Sequence, residues 1–181
     1  MGKKIRWLTE TAVLLALLIT LQWATKPMGQ IVTGSCVNVV LAVAVLYGGM
    51  GSGLTVALLS PVFAYWFHIA PNIVTVPAIM VGNAVYVLLL RLTFGDGKRL
   101  WRRIMAWLSA ATGKFLALYV LVVLLVCGPL SGVLLEQGLL KEPMLKLLPA
   151  TFSWLQLVTA LIGGGIAVSI SPLLKKALHK N

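Results

Sequence analysis

Three clusters of positive charge, separated by long apolar stretches, constrain this 181-residue chain more than any other feature. The clusters are Lys3, Lys4 and Arg6; then Arg91, Lys98, Arg99, Arg102 and Arg103; then Lys175, Lys176 and Lys180. Together they hold eleven of the fifteen Lys and Arg residues. Cationic flanks stay on the cytoplasmic side of a bilayer, so an even number of crossings must separate each cluster from the next. With 60% of residues apolar and 10% charged, the chain has too little polar surface for a soluble domain of its length. The predicted fold class is an all-α integral membrane protein of six transmembrane helices, with both termini cytoplasmic. The net charge of +11 would otherwise suggest a nucleic-acid partner. Here the charge falls at segment ends, where anionic headgroups lie, and no nucleic acid is expected. The length suits one membrane domain over residues 1–181, with no appended catalytic module.

The apolar runs are residues 7–24, 31–49, 54–70, 72–94, 104–127 and 151–174. Each is about 17 to 24 residues long, enough to cross roughly 30 Å of hydrocarbon at ~1.5 Å per residue. The run from Gly48 to Gly53 is expected to be a tight turn, and Pro61 to bend the third segment. Tryptophan favours the headgroup region. Trp7, Trp101 and Trp107 fall at the expected inner boundaries, and Trp23, Trp66 and Trp154 near the outer ones. Residues 128–150 form the longest loop, on the outside. Its leucine pattern suits either a short helix at the interface or an ordinary loop covering the helix ends. The basic start and apolar run resemble a signal peptide, but no small residue stands three positions before the candidate cut near Ala24, so the segment is a retained helix. Cys36 and Cys127 both fall near outer ends. A disulfide is conceivable, and two separate buried thiols fit the setting better.

Much chemistry is missing. Of four acidic residues, only Glu10 can lie within a span, and His68 and His179 fall near opposite faces. Metal-assisted hydrolysis and phosphoryl transfer need clustered carboxylates or histidines. There is no G-x-x-x-x-G-K-[ST] phosphate loop, so the chain does not consume ATP by itself. Gly163-Gly164-Gly165 has no strand before it and marks close helix packing or a flexible point. An enzyme, a cofactor and a metal site are all unexpected.

Polar groups inside a bilayer are costly and therefore informative. Lys114 lies about 15 Å into the fifth segment, near the midplane. Three readings are open: it contacts a substrate, it pairs with Glu10, or it snorkels to the cytoplasmic surface. Asn83 lies at a similar depth, while Asn38 and Gln156 sit nearer the outside. Gln22, Asn72, Tyr65, His68 and Trp154 gather toward the outer mouths. An outward-open cavity lined by amides and aromatics, with one cation at its base, would suit a small molecule. For Asn38 and Asn83, an interhelical hydrogen bond of roughly 0.6 kcal/mol explains each amide alone equally well. Ala12, Ala16, Thr20 and Ala24 form a small-residue stripe that permits close approach of another helix, within the chain or on another subunit.

Six segments, the basic start and Ala12-x-x-x-Ala16 together resemble the substrate-binding S component of energy-coupling factor (ECF) vitamin transporters. Gly34-Ser35-Cys36-Val37-Asn38, Ser60-Pro61-Val62-Phe63-Ala64, Gly82-Asn83-Ala84 and Gly113-Lys114-Phe115 add to the likeness. The resemblance implies capture of a vitamin-like micronutrient from outside a prokaryotic plasma membrane. It also implies docking on a transmembrane T subunit through Ala12 and Ala16, with two cytoplasmic ATPases driving the cycle. The loop over residues 26–33 would gate the pocket. Lys114 would favour a ligand with a carboxylate or another electron-rich group.

Two rival readings are a stand-alone secondary transporter or multidrug exporter, with Glu10 as its proton-coupling carboxylate, and a non-transporting membrane scaffold. Glu10 lies only about one turn into its span, beside Lys3, Lys4 and Arg6, which favours an interfacial ion pair over a proton relay.

Overall fold

The computed structural model describes residues 2–178 apart from positions 71 and 96. Eight α-helices and no strand are found among the described residues. His179 and Lys180 lie outside them. In chain order the helices are α1 (Lys3–Thr25), α2 (Gln30–Tyr47), α3 (Gly49–Trp66), α4 (Thr75–Phe94), α5 (Leu100–Leu118), α6 (Ser131–Glu136), α7 (Glu142–Phe152) and α8 (Trp154–Leu178). A 3-10 turn, Lys26–Met28, joins α1 to α2, and α5 continues as a π-helix over Tyr119–Val126.

Five of these stretches are long and apolar enough to cross a membrane: Lys4–Met28, Gln30–Tyr47, Thr75–Phe94, Leu100–Val126 and Trp154–Leu174. The third expected segment is the exception. Its helix α3 begins at Gly49, so the glycine run assigned to a turn is helical beyond its first residue. One positive-φ residue, Gly49 at +84°, is enough to reverse the chain. Gly53 serves packing instead: a Cβ there would stand 2.7 Å from the Cβ of Val45. The glycines and Ser52 dilute the hydropathy of α3, and its C-terminus falls at Trp66, four residues before the expected end of the segment.

Side-chain contacts fix which helix ends lie together. Trp7, at the start of α1, lies against Gly51 at the start of α3. Tyr47, ending α2, donates to the Ser171 carbonyl late in α8, and Arg103, early in α5, donates to the Val168 carbonyl at 2.9 Å. The described residues of the three basic clusters therefore share one end of the bundle. At the other end, Thr33 of α2 donates to the Thr25 carbonyl closing α1, and Lys26 donates to the His68 carbonyl just past α3. Helix α3 thus runs the same distance as its neighbours between the two ends, about 27 Å for its 18 residues.

The main core joins α2, α3, α4, α5 and α8, with Leu18 of α1 packed in. Helix α1 packs mainly on α2 and α3 and is the least buried of the five apolar stretches. Residues 128–150 are largely helical. Leu140 and Leu148 there, with Phe152 at the end of α7, are buried against Ala78, Leu118, Val122 and Val126, forming a second apolar cluster. The region thus combines elements of both readings: it is helical, with two helices in place of one, and it packs over the bundle.

Trp107 departs from the belt assignment. Its indole N–H donates to the Leu161 carbonyl at 2.8 Å, and its ring covers Gly164 and Gly165. The glycine triplet is a packing device within a continuous α8. Cys36 and Cys127 are both free thiols.

Candidate functional site

Helix α5 buries Ala106, Ala110, Lys114 and Leu118, which recur every four residues and so share one face. The small alanines let α5 approach its neighbours closely, and that approach carries the ammonium inward. Lys114 is 3% exposed. Its Nζ donates to Asn38 Oδ1 at 2.7 Å and to Asn83 Oδ1 at 2.8 Å, and it lies 5.7 Å from the centre of the Tyr86 ring.

The short motifs explain how these groups meet. A Cβ at Gly82 would lie 2.7 Å from Leu118 Cγ, so glycine beside Asn83 lets α4 and α5 close on each other. Gly34 does the same between α2 and α8, where a Cβ would stand 2.9 Å from Thr159 Cγ2. The amide of Asn38 is oriented by its own donors. Its Nδ2 bonds the Gly34 carbonyl at 2.9 Å and Thr159 Oγ1 at 3.4 Å, which turns Oδ1 toward Lys114. Asn83 Nδ2 reaches the Ala57 carbonyl at 3.5 Å to the same effect.

Glu10 takes no part. It accepts a 2.7 Å hydrogen bond from Arg6 on the surface of α1, one turn away. Pairing of Lys114 with Glu10 and snorkelling are both replaced by solvation from two neutral amide oxygens. Of its three N–H donors, one is left uncommitted to them.

A cavity of about 90 Å³ opens beside Lys114. Seven helices give it polar groups: Gln22 from α1, Thr33 from α2, Ser60 from α3, Asn83 from α4, Lys114 from α5, Thr151 from α7 and Gln156 from α8. Two of these groups are orphaned. Gln22 Oε1 and Ser60 Oγ are buried with no hydrogen-bond partner, in residues 8% and 1% exposed. Buried polar atoms normally find partners, so these two in a cavity wall are free to bond whatever enters it. Gln156 is satisfied internally, its Nε2 donating to the Thr151 carbonyl at 3.2 Å.

The expected site residues divide accordingly. Lys114, Asn83 and Gln156 line the cavity, and Asn38 stands behind Lys114 as its acceptor. Tyr65 and His68 line a separate depression that shares Ile69 and Ala70 with the cavity wall, and Trp154 is exposed. Asn72 braces the cover: its Nδ2 donates to the Leu139 carbonyl at 2.9 Å, tying the α3–α4 loop to the α6–α7 connection. Ala12 and Ala16 are exposed on the outer face of α1. Ser60 is the residue that sequence reasoning missed as a site group. A serine in an apolar helix ordinarily bonds its own preceding turn.

The family model described as the ECF transporter, substrate-specific component, matches residues 6–175. No curated protein and no solved structure matches the chain.

Proposed function

The chain belongs to the family of ECF transporter substrate-specific components, and from that premise we propose that it captures a vitamin-like micronutrient at the cavity beside Lys114. Proteins of this family are membrane-bound, substrate-binding transport subunits that work with a T subunit and ATPases. The observation that carries the reading is the cavity itself, with a buried ammonium and two orphaned polar atoms in its wall.

In this reading residues 1–181 form one membrane domain of six spans, with α3 as the sixth. The shared end of the three basic clusters faces the cytoplasm of a prokaryote, by the positive-inside rule. The opposite end, where Lys26 meets the His68 carbonyl, then faces outside. Gln30 and Thr33 line the cavity, so movement of residues 26–33 would open it, with Tyr65 and His68 flanking the entry. Release inward requires docking on the T subunit, driven by two ATPases. The exposed stripe containing Ala12 and Ala16 offers a surface for close helix approach. Glu10, bound to Arg6 outside the cavity, lends nothing to a proton-coupled exporter.

A thermal-shift screen of the detergent-purified protein against water-soluble vitamins tests capture. One class of compound should raise the melting temperature, increasingly with the logarithm of its concentration. No shift from any compound would favour a non-transporting scaffold.

A further inference from the structure

We infer that the ligand is a monoanion that also carries an N–H or O–H donor: its anionic group meets Lys114, and its donor meets Gln22. This inference rests on the capture reading and narrows its substrate class.

Charge sets the first requirement. Among the described residues lining the cavity, Lys114 is the one formally charged side chain. Its two protein partners are neutral amide oxygens. Glu10 is held by Arg6, and Glu136 and Glu142 are exposed. A buried ammonium without a counter-charge is costly, and an anionic ligand supplies that charge. A cationic ligand would add a like charge to the same site. A doubly charged phosphate ester would bring one negative charge more than the wall can answer.

Gln22 sets the second requirement. An amide oxygen can only accept, and Gln22 Oε1 is buried with no donor. In this orientation the amide accepts from a ligand donor at a second point. Ser60 can serve either group, since a hydroxyl both donates and accepts.

The test compares acids with neutral partners of the same shape: nicotinate with nicotinamide, pantothenate with panthenol, biotin with its amide, and 4-aminobenzoate with 4-aminobenzamide. Thiamine serves as the cationic probe. Dissociation constants are taken from melting shifts of the intact protein. At least one acid should bind about tenfold or more tightly than its neutral partner, because hydrogen bonds between charged groups are roughly twice as strong as neutral ones. Lys114→Met should erase that preference, while Gln22→Leu should weaken the acid yet keep the preference. A neutral or cationic probe binding as tightly as the best acid would overturn the monoanion and leave capture standing. So would an acid preference that survives Lys114→Met. The wild-type comparison decides alone if a variant fails to fold. If no probe binds, both the inference and the capture reading fall.

Discussion

Lys114 on α5 and Asn38 on α2 stand 76 positions apart in sequence and 2.7 Å apart in space, Nζ to Oδ1. The contact makes the stability of the bundle interior depend on a charge and a neutral amide together. Asn38→Leu should cost about 2 kcal/mol, because a charged donor loses an acceptor it cannot replace with water. Lys114→Met removes the charge with its requirement and should cost less. On the Lys114→Met background, Asn38→Leu should therefore be milder. Melting curves of the four proteins in detergent measure the coupling; equal costs on both backgrounds would mean the two residues act independently.

The glycine triplet of α8 should show a graded response to alanine. At Gly163 the added methyl meets the Ser35 backbone oxygen, which cannot swing away. At Gly164 it meets Trp107 Cδ1 at 2.7 Å and Tyr86 Oη at 2.8 Å, and at Gly165 its nearest neighbour is Trp107 Cζ2 at 3.2 Å. Overpacking costs about 1–3 kcal/mol. Melting temperatures should fall most for Gly163→Ala and least for Gly165→Ala, and a reversed order would refute the packing role.

Helix α7 turns one face onto the second apolar cluster. Leu148 is 1% exposed and Leu147 is 64% exposed. Leu148→Ala should destabilise by about 2–5 kcal/mol, and Leu147→Ala by well under half of that. Similar losses in detergent melts would mean that α7 does not cover the bundle as described.

Ala12→Trp or Ala16→Trp should abolish uptake in cells that carry the T subunit and ATPases, while ligand-induced melting shifts of the purified protein stay unchanged. Both alanines are exposed, so a larger side chain costs the isolated protein little and obstructs only a partner. Normal uptake by both variants would remove this stripe from docking.

Much of this architecture is legible from charge and apolarity alone. Basic flanks and apolar runs locate α2 and α4 to within a few residues, because a span must be both long and uncharged. The start of α3 is not legible, since glycines at Gly51 and Gly53 look the same in sequence whether they turn the chain or admit Trp7 and Val45. The π-helical continuation of α5 leaves no compositional mark. Within the site, Lys114, Asn38 and Asn83 stand out because polar groups in apolar helices are rare. Position along a helix gives depth and not direction. Gln22 and His68 were thus expected at the same outer level, yet one faces the cavity and the other a neighbouring depression. Ser60 looks like Ser35 in sequence, but only Ser35 bonds its own preceding turn, through the Ile31 carbonyl at 2.7 Å.

Native mass spectrometry of the protein released from mild detergent, beside Lys114→Met prepared identically, asks whether this cavity holds the substrate. If it does, the wild-type protein carries a small organic adduct that the folded Lys114→Met protein has lost. The same adduct at the same occupancy in both would place the substrate elsewhere.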